Sequence, residues 1–283
     1  MIARELSGVE PRPGVAKPDP VLTADGVRRR FGGLVAVDVD HLEVQRGSIT
    51  ALIGPNGAGK STFFNVLSGF DRPDAGSWSF DGTAISGWRA HRIARRGMVR
   101  SFQLPKALAK LSVLDNMKLG APRQTGERLA VALVPSRWRS QERTVELQAI
   151  ELLGRFGLGD QRDDYAGTLS GGQRKLLEMA RALMAQPDMV LLDEPMAGVN
   201  PVLVETLLEH MKGIREVGVT VMFVEHDMDV VMGVSDWVVC MGVGKVIAEG
   251  TPAAVGANPD VIDAYLGTTH DEAGYGEPEA ADE

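Results

Sequence analysis

Short runs of consecutive apolar residues alternate along the chain with stretches of helical periodicity. The clearest apolar runs are Ile49 to Ile53, Met189 to Leu192 and Val219 to Val224, and polar residues follow each run at once. Strands that are apolar at every position are typical of a parallel sheet covered on both faces. We therefore expect an α/β fold whose ligands gather at the carboxyl ends of the strands.

The region of about residues 104–175 begins with a long stretch that lacks strand patterning, and we expect a helical subdomain there. Four leucines recur at helical spacing, namely Leu104, Leu108, Leu111 and Leu114. Ser112 precedes Asp115 by three residues, which resembles a capping box. These features predict that a helix begins near Ser112.

The two ends of the chain differ in composition from the region between them. Residues 1–20 carry four prolines and few large apolar side chains, which predicts a disordered leader. Residues 268–283 predict a disordered acidic tail, after a short helix over about 259–266 with Asn258 as its N-cap and Pro259 as its first residue. The folded domain is therefore expected over residues 21–267.

Composition limits the functions that the chain can perform. Its 283 residues are 44% hydrophobic, which is enough for a sizeable core, and the net charge of -8 argues against nonspecific binding to nucleic acid. The single cysteine, Cys240, excludes an intrachain disulfide and fits a reducing compartment, and its apolar neighbours predict a buried thiol. No run approaches the roughly 18 apolar residues of a membrane span, and no signal-peptide run is present, so we expect a cytoplasmic chain.

The loop that follows the first apolar run carries a phosphate-binding pattern. Gly54 to Ser61 reads GPNGAGKS, which matches GxxxxGK[ST] between a predicted strand and a predicted helix. Its glycines let the backbone wrap phosphate oxygens, Lys60 can reach the β and γ phosphates, and the Ser61 hydroxyl can ligate Mg²⁺. The context disfavours the alternative of a glycine turn with an incidental lysine. The candidate nucleotide-binding residues are Asn56, Gly57, Ala58, Gly59, Lys60, Ser61 and Thr62.

Acidic residues follow the second apolar run, and a histidine closely follows the third. Asp193 is suited to hold Mg²⁺, and Glu194 is suited to orient and polarise a water that attacks the γ phosphate. His226 lies on the same expected edge of the sheet. Alone, the acidic pair would indicate a solvated turn and the histidine a structural role. The phosphate loop in the same chain favours the catalytic interpretation.

A second glycine-rich turn precedes an amphipathic helix. Leu169 to Gln173 reads LSGGQ, and the N–H groups at such a helix start form an anion site. A P-loop domain binds its own ATP with one glycine-rich loop, so we expect this second turn to serve the ATP of a partner in a symmetric dimer. Its candidate residues are Ser170, Gly171, Gly172 and Gln173.

Three segments resemble, in order and spacing, the characteristic segments of ABC-type ATPases. They are Gly54 to Thr62 for Walker A, Leu169 to Gln173 for the signature and Met189 to Glu194 for Walker B. The resemblance covers about residues 21–267. It implies a P-loop NTPase core with a mostly parallel sheet, an antiparallel β portion and an inserted helical subdomain.

The same resemblance assigns roles to three further residues. It implies that Phe31 stacks on adenine, although a place in the core is the alternative for this side chain. It implies that Gln103 lies in the loop that senses Mg²⁺ and the attacking water, and that His226 contacts the γ phosphate.

Several segments place the chain within one branch of that family. These segments are similar to those of the ATP-binding subunits of branched-chain amino-acid and related importers. They are FGGLVAV, RSFQ, EHDM, VIDAYLG and the turn Met196 to Pro201. Within that turn, Asn200 stands where many members have aspartate, so it keeps a hydrogen-bonding side chain but loses the charge. The sequence therefore does not support a role that needs a carboxylate at this position.

The resemblance also implies partners. ATP hydrolysis would power the uptake of branched-chain amino acids or related small polar solutes through separate permease subunits, which would dock at residues 104–119 on the cytoplasmic face of the membrane. A solute-binding protein and a second ATP-binding subunit, either a copy of this chain or a close paralogue, would complete the system. Nucleic acid is not an expected partner.

Other functions remain as alternatives. Within the transporters, an exporter ATPase, for example of the lipopolysaccharide type, is one alternative. LSGGQ and the lack of an Asn-Lys-x-Asp motif argue against a soluble P-loop kinase or a switch GTPase. The lack of a long coiled coil or a second nucleotide domain argues against an ABC ATPase of DNA repair or translation.

Overall fold

The structure, a computed structural model, describes residues 6–101, 108–122, 124 and 138–272, with only the backbone for 266–272. The strands within these ranges are β1 (Pro20–Phe31), β2 (Leu34–Gln45), β3 (Ile49–Ile53), β4 (Ala75–Phe80), β5 (Thr83–Ala84), β6 (Met98–Arg100), β7 (Met189–Asp193), β8 (Thr220–Val224), β9 (Trp237–Gly242) and β10 (Lys245–Gly250). The helices are α1 (Lys60–Leu67), α2 (Ala90–Arg96), α3 (Val113–Lys118), α4 (Arg139–Arg155), α5 (Gly171–Leu183), α6 (Pro201–Glu216), α7 (Met228–Val234), α8 (Pro252–Gly256) and α9 (Pro259–Glu272).

The described strands form two sheets. The larger has six strands in the order β10-β9-β3-β8-β7-β6, and it is parallel apart from the antiparallel pair of β9 and β10. The smaller has four antiparallel strands in the order β2-β1-β4-β5. The expected α/β class with an antiparallel portion is confirmed.

Every residue of β3, β7 and β8 is buried, as the predominantly apolar runs predict. Because successive side chains of a strand point to opposite faces of the sheet, each strand contributes side chains to two hydrophobic cores. Ala51 and Leu192 face one core, which also contains the apolar sides of α4, α5 and α6. Leu52 and Leu191 face the other core, which lies between the two sheets and encloses α1. The phosphate-loop helix is therefore held between two sheets.

Helices occupy the described parts of the expected helical subdomain. Ser112 is the N-cap of α3, and its Oγ accepts a hydrogen bond from the Asp115 N–H at 3.0 Å, so the predicted helix start is confirmed. Met117 of α3 is buried, whereas Leu108 and Leu119 are exposed, and Leu104 lies outside the described residues. No helix in the described ranges is both long enough and apolar enough to cross a membrane.

Cys240 is buried in β9, as its apolar neighbours predict. Burial raises the pKa of its thiol to about 12, and the nearby Lys60 charge opposes that shift. A thiol in such surroundings stays protonated and behaves as a small core residue.

The described part of the expected disordered leader is packed, which corrects that expectation for residues 6–19. Lys17 Nζ donates to Glu249 Oε2 at 2.8 Å, and the Val15 N–H donates to Glu249 Oε1 at 3.0 Å. Trp237 Nε1 donates to the same carboxylate at 2.9 Å. The lysine and glutamate side chains are 1% and 0% exposed. Local composition does not reveal this ordering, because the partner lies 232 positions away.

The C-terminal helix is also longer than expected. The Asp260 N–H donates to Asn258 Oδ1 at 2.8 Å, which supports the predicted cap. The helix then runs from Pro259 to Glu272 rather than ending near Leu266, so residues 268–272 belong to α9 and not to a disordered tail. No proline interrupts this segment, and each added residue gains one backbone hydrogen bond once the helix has started.

We expect Lys17→Met to lower the free energy of unfolding by about 3–5 kcal/mol, because it leaves the Glu249 carboxylate buried without a positive partner. Combining it with Glu249→Gln should recover much of that loss, since no uncompensated charge remains. Urea unfolding followed by circular dichroism measures both effects.

The matched control is Arg12→Met, which breaks the Arg12–Glu10 pair, whose side chains are 66% and 73% exposed. An exposed pair of this kind contributes less than about 1 kcal/mol. An unchanged unfolding midpoint for Lys17→Met would contradict a stabilising role for the buried pair.

Candidate functional site

The carboxyl ends of three neighbouring strands bring the predicted site residues to one edge of the larger sheet. Asp193 pairs with Val224 in the register of β7 and β8, and Leu52 pairs with Val224 in that of β3 and β8. The phosphate loop after β3, the acidic pair at the end of β7 and the His226 segment after β8 are therefore adjacent.

The phosphate loop takes its shape from glycines that no other residue could replace. Gly54 has φ 142° and Gly59 has φ 96°. A Cβ at Gly54 would collide with the carbonyl oxygen of Met241, and one at Gly59 would collide with that of Ala36. The loop thus lies directly on β2 and β9. Asn56, Gly57 and Ser61 are exposed along it, whereas Ala58 is buried.

Lys60 folds back onto its own loop. Its Nζ donates to the carbonyl oxygens of Gly54 at 2.6 Å and Pro55 at 2.9 Å. Burial lowers the pKa of this ammonium, while the negative charges of Glu194 and Asp193 oppose that effect. Among the described residues, Lys60 Nζ donates only to uncharged carbonyl oxygens, so phosphate oxygens could take their place with a gain in charge pairing.

Asp193 ends β7 with a side chain that is 4% exposed. Arg100 Nη2 donates to its Oδ2 at 2.7 Å. Among the described residues, Asp193 Oδ1 is buried and has no hydrogen-bond partner. A buried carboxylate oxygen without a protein partner fits a metal ion or its bound water, so Asp193 together with the Ser61 hydroxyl could hold Mg²⁺.

No group of three or more His, Cys, Asp or Glu side chains in the described residues could hold a metal ion by itself. Mg²⁺ is commonly bound through one or two side-chain oxygens, waters and the phosphates of a substrate. The serine and aspartate present here are of that kind.

Glu194 follows with an unusual backbone conformation. Its φ is 46°, a left-handed value that residues other than glycine rarely adopt. Its N–H donates to the Val224 carbonyl at 3.1 Å, and its own carbonyl accepts from Lys175 Nζ of α5 at 3.1 Å. These two bonds hold the turn in a strained geometry, and such strain is common at functional sites.

His226 is at the expected edge, with a side chain 65% exposed. Its N–H donates to Glu225 Oε2 at 3.1 Å, and its Nδ1 lies 3.3 Å from the same oxygen. Glu225 is itself buried. Burial raises the pKa of Glu225, whereas hydrogen bonds from the backbones of His226 and Met196 oppose the shift. The buried Glu225 carboxylate thus orients His226 through its contacts with the backbone N–H and the ring.

The signature segment forms a capped helix start. Ser170 Oγ accepts from the Gln173 N–H at 3.2 Å, and Gln173 Oε1 accepts from the Ser170 N–H at 2.9 Å. The N–H groups of Gly171 and Gly172 are in the first turn, where a helix offers no internal acceptor. Ser170 and Gly171 are exposed. Among the described residues, no hydrogen bond joins Leu169–Gln173 to Gly54–Thr62 of the same chain.

Phe31 lies at the end of β1 with 49% of its surface exposed, so it is not a core residue. The Arg29 guanidinium carbon is 4.4 Å from its ring centroid. A half-exposed ring is suited to stacking on a flat ligand. Gln103 is outside the described residues, so its predicted place near the site is not visible.

Two contacts of the site were not predicted from the sequence. Arg100 reaches Asp193 as described above, and the Gly54 N–H donates to Tyr265 Oη of α9 at 2.9 Å. Burial raises the pKa of the Tyr265 hydroxyl to about 12. Both residues lie in segments that the resemblance singled out, RSFQ and VIDAYLG, but the motifs alone do not show what the side chains contact.

Asn200 has a structural explanation. It is the N-cap of α6, and its Oδ1 accepts from the Leu203 N–H at 3.1 Å. A cap needs an acceptor rather than a charge, and asparagine and aspartate are about equally good at it. The missing carboxylate therefore leaves the helix start intact.

Comparison with known proteins gives the same result as the geometry. The family model described as "ABC transporter" matches residues 37–197, and one described as "Branched-chain amino acid ATP-binding cassette transporter" matches residues 245–271. The second match contains Tyr265.

Two curated relatives cover nearly the whole chain. The probable branched-chain amino acid transport ATP-binding protein LivG of Archaeoglobus fulgidus is 41% identical over 252 residues, which are 89% of this chain and 97% of that protein. The high-affinity branched-chain amino acid transport ATP-binding protein BraF of Pseudomonas aeruginosa is 40% identical over 250 residues, 88% of this chain and 98% of that protein.

Solved structures agree. A nucleotide-free ATP-binding cassette from an ABC transporter superimposes with a TM-score of 0.76 at 34% identity, covering 87% of this chain and 98% of that one. The ADP conformation of an ABC transporter cassette also gives 0.76 at 34% identity, over 88% and 99% of the two chains. With the phosphate loop, the acidic pair and the signature helix in place, the chain belongs to the ABC transporter family and is one of its ATP-binding and ATP-hydrolysing subunits.

Proposed function

We propose that the chain powers the uptake of branched-chain amino acids, or of closely related small polar solutes, by hydrolysing Mg²⁺-bound ATP beneath separate permease subunits. The observation that carries this proposal is the C-terminal match at residues 245–271, together with relatives that are named as branched-chain amino acid transport proteins. No observation favours the exporter alternative. The chain would work as a peripheral subunit on the cytoplasmic face of the membrane, in a system that includes a solute-binding protein.

In this proposal the phosphate loop binds the nucleotide. Its backbone N–H groups and Lys60 hold the phosphates, and the lysine exchanges its two carbonyl acceptors for phosphate oxygens. Ser61 and Asp193 would hold Mg²⁺, which neutralises phosphate charge when it is bound. The half-exposed ring of Phe31 would stack on adenine.

Glu194 and His226 would perform the remaining chemistry. The Glu194 carboxylate orients the attacking water and polarises it, and the strained backbone that Val224 and Lys175 hold in place keeps the residue at this position. His226, held by Glu225, contacts the γ phosphate. Gln103, which lies outside the described residues, would complete the site.

A second ATP-binding subunit would complete each site in trans. Within one chain, no hydrogen bond of the described residues joins the signature segment to the phosphate loop, and Ser170 and Gly171 are exposed with their helix start facing outward. Pairing with a copy of the chain or a close paralogue about a two-fold axis would place each signature helix over the phosphates of the partner.

The permease would dock beside α3. Leu119 lies at the mouth of a cleft of about 260 Å³ that is also lined by Val99, Arg100 and Arg181. Met117 of α3 is buried whereas Leu108 and Leu119 are exposed, so within the described residues 108–119 one side packs in the core and the other is open. Arg100 lines the cleft and donates to Asp193, so a docked permease helix would contact a residue that reaches the site.

We expect Glu194→Gln to lower ATP turnover by about 10² to 10⁴, the usual contribution of a general base, while ATP binding is retained. Steady-state phosphate release and equilibrium binding of a fluorescent ATP analogue measure the two properties. Glu209→Gln, which removes an exposed carboxylate of α6, is the control and should leave both near wild type. Turnover within a few fold of wild type would remove Glu194 from its role.

Mixing two inactive variants tests the completion of sites in trans. The heterodimer of Lys60→Ala and Ser170→Arg has one doubly altered site and one intact site, which takes Lys60 from one chain and Ser170 from the other. A random equal mixture should recover up to about a quarter of wild-type ATPase when sites act independently.

Trapped ATP per dimer should be measured as well, because strict coupling between sites would keep hydrolysis low. Each variant alone is the control. If neither hydrolysis nor trapping recovers in a mixture shown to contain heterodimers, the signature segment does not act in trans.

Leu119→Glu should weaken co-purification of the chain with co-expressed permease subunits of its own transporter and lower cellular uptake of radiolabelled leucine, because it places a charge in the proposed docking cleft. Leu147→Glu alters an equally exposed leucine of α4 and should change neither, since it lies outside that cleft. Equal effects of the two variants would contradict docking at this surface. If wild-type cells take up leucine no faster than cells lacking the chain, the proposed solute is wrong.

A further inference from the structure

Arg100 is an arginine buried at the end of an edge strand. It is the last residue of β6, and its side chain is 8% exposed. Its guanidinium carbon lies 5.8 Å from the ring centroid of Phe64 and 5.7 Å from that of Phe70. A buried guanidinium has a large desolvation cost, so the groups that it contacts determine what it does.

The guanidinium joins the two elements that carry the proposed Mg²⁺ ligands. Nη2 donates to Asp193 Oδ2 at 2.7 Å. Nη1 donates to Asn65 Oδ1 of α1 at 2.6 Å and to the Oγ of Ser68, the C-cap of that helix, at 3.0 Å. Ser61 lies on the same helix, one turn before Asn65. A single side chain therefore bridges the helix of Ser61 and the strand of Asp193.

The bridge also distinguishes the two oxygens of Asp193. Oδ2 is occupied by the arginine, whereas Oδ1 has no partner among the described residues. The bond to Arg100 fixes the plane of the carboxylate, so one oxygen faces the arginine and the other faces the side that has no protein partner among the described residues.

We propose that Arg100 is a positioning residue for Mg²⁺: it holds Asp193 so that Oδ1 is presented to the metal or its bound water, and it sets the separation of Asp193 and Ser61. It does not touch the nucleotide. This inference rests on the Mg²⁺- and ATP-binding function proposed above and assigns to Arg100 a task within it.

The experiment measures how strongly Mg²⁺ tightens nucleotide binding by the full chain. The dissociation constant of a fluorescent ATP analogue is determined in EDTA and in Mg²⁺, and the ratio of the two is the Mg²⁺ effect. Arg100→Lys keeps a positive charge but cannot reproduce the planar fork that reaches three acceptors. We expect it to lower the Mg²⁺ effect by about tenfold, the scale of one charge-assisted hydrogen bond. Binding in EDTA should stay within about threefold of wild type.

A matched control separates positioning from stability. Arg215 Nη1 donates to Asp236 Oδ1 at 2.9 Å, in a partly buried ion pair at the amino ends of β3 and β9. Arg215→Lys should lower the melting temperature without changing the Mg²⁺ effect. A role of Arg100 in stability alone predicts that both lysine variants behave alike.

A double variant covers the case in which the single one is too unstable to measure. In an Asp193→Asn background, Arg100→Met leaves no unpaired buried carboxylate, and it should not alter the Mg²⁺ effect further if the arginine acts through Asp193. An additional loss there, or an unchanged Mg²⁺ effect in folded Arg100→Lys, would overturn the inference while the proposed function stands. A wild-type chain whose nucleotide binding ignores Mg²⁺ would overturn both.

Discussion

The burial of β3, β7 and β8 on both faces is the constraint on which the rest of the structure depends. Strands with no solvent-facing side are almost entirely apolar here: their buried polar residues are Thr50 and Thr220, and their one charged residue, Asp193, is the last of β7. Because these strands are parallel, their ends meet at one edge. Charged and polar groups can follow these strands only at their ends. This places the phosphate loop, the acidic pair and the histidine segment next to one another.

Charge at that edge is balanced by contacts from other elements. Asp193 is buried and forms an ion pair with Arg100. Lys60 is half-buried and donates hydrogen bonds to carbonyl oxygens of its own loop. The edge thus holds a carboxylate that is already paired and an ammonium that, among the described residues, donates to carbonyls rather than to a carboxylate. A polyanion that arrives there meets an available cation without displacing an ion pair.

The sequence predicts those parts of the fold that depend on neighbouring residues. The buried strands, the phosphate loop, and the caps at Ser112 and Asn258 follow from local patterns, and the structure agrees with each. Local patterns do not reveal contacts between residues that are far apart in the chain. The packing of residues 6–19 and the two unexpected site contacts are of this kind. Lys17 appears in sequence as one charge among prolines, and only the fold shows the carboxylate that accepts it.

The bond between the Gly54 amide and the Tyr265 hydroxyl joins residues 211 positions apart. During translation the whole phosphate loop is made long before its acceptor on α9. The phosphate loop can therefore gain this hydrogen bond only after Tyr265 has been synthesised, within the segment that matches the branched-chain amino acid cassette model.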